Sequence, residues 1–587
     1  NIYSTSKAKY SRKVAYTILN EKADFLAQQQ EGYDKFRQIE SIDANLYDAL
    51  GIKIKSIKKN EIKDVSGMGG GTEVSDDRAK EFGFYHRTYP YTVEFSVEAT
   101  MKGLMFLPKW YAVEGDRISV QQSSYTLQMA TGISVITKAF NYPAEPAESK
   151  AGENLKKTWQ ITNAKAMQRE PLAPPWYELT PVVFFAMKEF EMDGYTGSNA
   201  SWESFGSFVY NLIKGRDKLP PELADRVTQL VQGKQTTYEK VAAIYKYMQD
   251  NTRYISIQLG IGGWQPFDAG FVYGKKYGDC KALTNYMSAL LKQVNIPSIY
   301  TVIKSGKGVT RFVEDFPSSQ FDHVILCVPD GKDTIWLECT SQSLPAGYLG
   351  DFTCNRPALL VMETGSKLVR TPHYGMNQNQ QIRRIAGKID ESGHLICQAK
   401  TSYTGLQQDD LHDMLFALTK EKQKEVLQNG FSLGTYEIRD FTYRQIPSKL
   451  PAIEESIDLV AGNYAQITGR RLMIQPNVLS RGNWRVSKDS TRKFDIVFSY
   501  PYIDTDTVEI QVGNEYKEES MPKPFSITSI FGNYQSKTTL KDGVLQYVRR
   551  IERYEGRFPP ESWEELVKFL DAITKADRAK AVLVKEG

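Results

Sequence analysis

From Lys7 to about Phe140, apolar and polar residues alternate in short runs separated by turn residues, the two-residue period of half-buried strands. Tyr89 to Ala99 and Ile118 to Tyr125 carry the alternation most clearly. The spacing over Tyr33 to about Leu50 predicts one helical interruption. A β-sandwich is the natural package for such strands. Met68-Gly69-Gly70-Gly71-Thr72 reads as a loop and not as a phosphate cradle, because no strand and helix frame it.

Past connections at Pro143 to Glu148 and Glu170 to Pro175, and a strand near Pro181 to Phe190, the period changes. Trp202 to Ile213, Pro220 to Val231 and Thr237 to Asp250 have helical spacing, as does the stripe Ala282, Leu283, Tyr286, Met287, Leu290, Leu291 and Val294. Strands return at Ser298 to Lys304, Phe321 to Val328 and Thr334 to Cys339. From about Gln378 to Tyr554 strand signals dominate, with a helix near Asp409 to Gln428 and a terminal helix from Pro560. The expected fold is multidomain and β-rich. It has an N-terminal β-sandwich (1–195), an α+β centre (196–375) and a C-terminal β-rich, sandwich-like domain with a terminal helix (376–587).

Composition narrows the function classes. The 74 basic and 70 acidic residues nearly cancel, so nucleic acid is not suggested as a partner. No run approaches the ~20 apolar residues of a membrane-spanning helix. Five cysteines in 587 residues do not make a disulfide scaffold, and their odd number leaves a free thiol, for which Cys280 is the candidate. His86, His323, His373, His394 and His412 are scattered without zinc-ligand spacing, so neither metal nor cofactor is expected. The adjacent pairs Asp409-Asp410 and Glu454-Glu455 read as surface and not as a glycosidase dyad.

The chemistry-bearing stretch is Tyr277-Gly278-Asp279-Cys280-Lys281-Ala282. Asp279 is a plausible N-cap, which makes Cys280 the first helical residue, where free amide hydrogens and the helix dipole favour thiolate. Gly278 would allow a substrate backbone to approach. Downstream, Asp330-Gly331 predicts a two-residue hairpin in which Pro329 faces Lys332 and His323 stands opposite Glu338. A one-residue slip would place the two on opposite faces. Trp336 should share the face of Glu338 and exclude water. Besides the Cys280 amide, Gln258, Trp264 and Gln265 in the Gly-loosened segment before the nucleophile are candidate oxyanion donors.

The order Gly278-Asp279-Cys280-Lys281, Phe321-Asp322-His323-Val324 and Trp336-Leu337-Glu338-Cys339-Thr340 resembles the transglutaminase-like core of the papain-like cysteine enzymes. The three-part layout is similar to bacterial proteins, common among Bacteroidetes and usually exported, in which a domain of unknown function precedes such a core. The resemblance implies a papain-like α+β centre with Cys280 as nucleophile, His323 as base and then acid, and Glu338 as its orienting partner. It also implies a match of Trp264 to the family's oxyanion-stabilising aromatic, a peptide or protein substrate, and a periplasmic or cell-surface location. The start at Asn1 agrees with trimming. Glu338 departs from the family's usual Asp, and its longer arm would loosen the pair. Two functions stay open: a thiol acyl-transfer enzyme leaning towards hydrolysis, and an envelope binding or assembly protein whose β-domains hold a glycan or protein.

Overall fold

The computed structural model describes residues 1–67, 72–308, 311–482, 484 and 491–586, so the glycine-rich run 68–71 lies outside the described residues. The N-terminal region is built from small sheets. In the first, Lys7–Ile18, Tyr91–Lys102, Arg37–Tyr47 and Lys53–Ser56 lie side by side in that order. Its alternation is strict on Tyr91–Lys102, where Val93, Phe95 and Val97 meet Ile18, Ala44, Leu46 and Phe82 in one core.

The helix expected over Tyr33 to Leu50 is instead the strand Arg37–Tyr47. A bulge between Ile39 and Ser41 shifts its register against Tyr91–Lys102. The extra residue spaces Ile39 and Ile42 three apart, and that spacing imitates a helical face.

The centre opens with α1 (Trp202–Ile213), α2 (Pro221–Val231), α3 (Thr237–Asn251), α4 (Ala269–Lys275) and α5 (Cys280–Gln293). Ser201 and Thr236 cap α1 and α3 in capping boxes, and Pro221 opens α2, where its missing N–H costs nothing. Behind α5 stands a five-stranded antiparallel sheet of β1 (Ile299–Ile303), β2 (His323–Asp330), β3 (Asp333–Leu337), β4 (Pro357–Leu360) and β5 (Lys367–Arg370), in the order β3-β2-β1-β4-β5. Leu326, Val328, Ile335 and Leu337 pack against Leu283, Tyr286, Met287 and Leu290 of α5. Ile325, Cys327 and Trp336 face the other way, onto Tyr348 and Leu349. Both faces are covered, which explains why β2 reads as a nearly continuous apolar run.

The C-terminal region holds an eight-stranded sheet, with one parallel pairing of Gln380–Ile389 against Tyr502–Gln511 in its middle. The helix expected near Asp409 to Gln428 is two helices, α6 (Asp409–Ala417) and α7 (Lys420–Gly430). The terminal helix α8 (Trp563–Asp577) is followed by a strand, Ala581–Lys585. Two residues read as surface are not: Glu455 is buried, and Asp409 turns inward to bond Tyr348 and Asp351. No helix among the described residues is long and apolar enough to cross a membrane.

Candidate active site

Asp279 is extended and its carboxylate accepts from Ala282 N at 3.0 Å, which starts α5 at Cys280. The Cys280 N–H therefore has no acceptor within the helix and lies at the positive end of its dipole. The other Asp279 oxygen pairs with Lys281 Nζ at 2.6 Å, and both side chains are buried. Asp279 is thus committed to a cap and an interior ion pair rather than to a substrate. Gly278 is likewise used inside the fold. A Cβ there would lie 2.9 Å from Ala282 Cβ, so the glycine admits the first turn of α5 and not a ligand.

The hairpin differs from expectation in its turn. Asp330 faces Asp333, and the two central residues are Gly331 and Lys332, with Gly331 at φ +64°. Glycine takes the first central position, the II′ arrangement, where the sequence suggested the second. Moving a two-residue turn by one position moves every partner by two, so Pro329 faces Thr334 and not Lys332. The continued register sets Glu338 opposite Ile325 instead of His323. A shift of two preserves the face, and Glu338, one residue past the end of β3, reaches diagonally to His323. His323 Nε2 and Glu338 Oε1 are 2.8 Å apart.

The long arm of Glu338 is fixed at both oxygens. Thr340 Oγ1 donates to Oε1 at 2.6 Å and Thr353 Oγ1 to Oε2 at 3.3 Å, while Tyr245 holds the Glu338 backbone carbonyl at 2.6 Å. Because Glu338 occupies Nε2, Nδ1 is the nitrogen left for the thiol. Burial disfavours a charged His323, but the Glu338 carboxylate and hydrogen bonds to Cys280 and Glu338 outweigh it and raise its pKa to about 10. For Glu338, burial pushes upward, and the His323 charge and the Thr340 donors bring the net shift below the ordinary carboxylate value. The two shifts agree in favouring imidazolium and carboxylate.

The surroundings are aromatic. Phe352 presents its edge to His323 at 5.2 Å between ring centres. Burial raises the pKa of both Tyr254 and the buried Tyr300, and the nearness of Cys280 adds to it. Trp336 lies opposite Cys327 in the interior, on the face of Ile325 and Tyr348. Cys280, His323 and Glu338 are only 6%, 7% and 4% exposed, so the site is nearly closed.

The oxyanion candidates divide. Trp264 packs on Phe106 and Phe205 at the edge of the core that contains Cys280. Gln265 Nε2 is committed to Tyr195 OH at 2.9 Å. Gln258 ends a strand paired in parallel with Thr72–Ser75 of the N-terminal region, and with Trp264 it lines a cleft between the two regions. Sequence reasoning missed Thr353, Phe352 and Lys281. The first two sit on a patternless loop, whereas Lys281 stands two residues after Asp279, directly before the apolar stripe of α5, where a nearby carboxylate can pair with it.

Comparison with known proteins agrees with this layout. Residues 4–168 match DUF3857 and residues 470–583 match DUF3858, both families of domains of unknown function, and residues 224–339 match the transglutaminase-like superfamily. No curated protein matches the chain. A crystal structure described as a "putative protease" from Parabacteroides distasonis is similar over 99% of this chain and 97% of its own, at TM-score 0.63 and 12% identity, which establishes a shared fold. A "putative cysteine protease" from Cytophaga hutchinsonii overlaps 63% of this chain and 87% of its own at 11% identity, but its TM-score of 0.18 carries no argument. Between a DUF3857 and a DUF3858 domain, this chain therefore carries a domain of the transglutaminase-like superfamily that contains Cys280, His323 and Glu338.

Proposed function

We propose that the chain is a thiol acyl-transfer enzyme acting on a peptide or glutamine-type amide. One observation carries the reading: a buried His323 held by Glu338 at 2.8 Å, with Cys280 at a helix N-terminus as its other partner. The Cys280 thiolate adds to the amide carbonyl carbon, and the oxygen's new charge meets the Cys280 N–H. The C–N bond breaks as His323 passes its proton to the departing amine, which leaves a thioester and a neutral ring. Water then gives a proton to His323 and adds to the thioester, and the C–S bond breaks to restore thiolate and imidazolium. Hydrolysis is the preferred outcome, because an amine acceptor would need a second approach to three nearly buried side chains. An exported location and a peptide substrate go with this reading.

The test is a peptide library cleaved by the full chain and by Cys280→Ala, with mass spectrometry for the acyl-enzyme. Cleavage and a covalent adduct at Cys280, both absent from the variant, support the reading, and cleavage that survives Cys280→Ala refutes it. The depth of the site favours a second reading, an envelope binding protein that keeps the fold without turnover. It predicts no adduct at any peptide concentration.

A further inference from the structure

The mechanism above uses nothing from beyond Tyr374, yet α6 of the C-terminal region reaches both loops that fix Glu338. Asp409, its first residue, accepts from Tyr348 OH at 2.7 Å through one oxygen and from Asp351 N at 2.7 Å through the other. These residues lead into Phe352, whose ring meets His323, and Thr353, whose hydroxyl donates to Glu338. The fit is close: a Cβ on Gly350 would lie 2.7 Å from the Asp409 carboxylate. One turn on, the buried His412 pairs through Nε2 with Ser343 Oγ at 2.8 Å, on the loop that begins with Glu338 and Thr340. That first loop is also anchored by Gln249 of α3, which donates to the carbonyls of Ser341 and Leu344 at 2.9 Å each. On the second loop, Tyr374 OH accepts from Leu349 N and Arg356 donates to the Asp351 carbonyl, but among the described residues only Asp409 takes the Asp351 N–H.

We infer that α6 is a clamp from the C-terminal region on the acidic member of the site, with Asp409 and His412 as positioning residues that hold Glu338 against His323 through the loops 348–353 and 338–343. A carboxylate one methylene longer than Asp has more conformations to exclude, and these anchors exclude them. Asp409, at the start of a helix, gains from the dipole while it accepts two donors from another region. The C-terminal region is then a working part of the catalytic unit and not an appendage. As catalysis the inference rests on the function proposed above, but its physical content, the alignment of Glu338 with His323, does not.

The experiment uses the full chain labelled with [15N]histidine. In the native protein the His323 Nε2–H proton, bonded to a carboxylate, should resonate far downfield. Asp409→Ala removes the main anchor. Because its buried donors are then left unpaired, Tyr348→Phe combined with Ser343→Ala takes away one bond to each α6 residue from the core side and keeps the test decisive if the first variant does not fold. The clamp predicts that the downfield signal is lost or moves upfield while the chain still unfolds in a cooperative transition, lowered only as far as the lost hydrogen bonds require, and that Cys280 alkylation at neutral pH slows roughly three- to tenfold, the worth of one or two such bonds. Lys307→Gln, which removes the side-chain ion pairs to Asp410 at 2.7 Å and Asp413 at 3.5 Å and leaves the bonds of Asp409 and His412 in place, should change neither readout. An unchanged His323 signal in the double variant overturns the clamp, whatever the labelling rate. Slow alkylation of native Cys280 alongside a signal that responds to the variants would instead count against the proposed enzyme and leave the clamp standing.

Discussion

Glu338→Gln keeps the shape of the side chain and removes the charge that His323 is built around. The linkage has a definite sign. His323 titrates near 10 in the folded chain against 6.5 as its ordinary value, so its contribution is complete below about 6.5 and is lost as pH rises towards 10. Glu338 is shifted downward, so its contribution is present above its ordinary value of 4.5 and is lost as pH falls. The pair therefore stabilises most between about pH 4.5 and 6.5. Removing one partner of a buried pair costs roughly 3–5 kcal/mol. In calorimetry, a unit of 150–250 residues should lose about 2–4 °C per kcal/mol, so its transition near pH 6 should fall by roughly 6–20 °C. Well above pH 10, where His323 is neutral in both proteins, only the hydrogen-bond difference of about 1 kcal/mol should remain. A loss of the same size at both pH values, or none near pH 6, would refute the ion-pair reasoning.

Other substitutions probe the supports. Asp279→Ala removes a cap worth about 1 kcal/mol and strands Lys281 as a buried charge, for a total cost of several kcal/mol. Asp279→Ser with Lys281→Met keeps a cap without the charge and should recover most of that loss in denaturant titrations. Thr353→Val removes one donor from Glu338 and should destabilise by about 1 kcal/mol, with a matching drop in Cys280 alkylation rate. Gly278→Ala forces a methyl group to 2.9 Å from Ala282 Cβ and should lower the melting temperature, because α5 must shift at its first turn.

Much of the site is legible in the chain because its parts are local. Asp279 and Cys280 are set by capping chemistry within three residues, and His323 and Glu338 by one hairpin. Even with the turn misassigned by one residue the face survives, since a two-residue turn moves partners in steps of two. What the sequence hides comes from distant chain. Thr353 and Phe352 lie on a loop without periodicity, and Asp409 looks like half of a surface carboxylate pair until the fold turns it towards Tyr348. The strand Arg37–Tyr47 reads as a helix in the sequence because its bulge spaces Ile39 and Ile42 as a helix would. Gly278 shows a different limit: a glycine beside a nucleophile suggests room for a substrate, and only the position of Ala282 reveals that the helix takes that room.

The central claim is that Cys280 is an activated nucleophile paired with His323, and the most direct measurement compares alkylation rates by site. Cys397 is the internal reference, since burial pushes its thiol up to about 12. The account predicts that iodoacetamide at neutral pH modifies Cys280 roughly tenfold faster or more, that the rate holds into the alkaline range while His323 keeps its proton, and that His323→Ala abolishes the advantage. Equal rates at Cys280 and Cys397, or an advantage that survives His323→Ala, would contradict it.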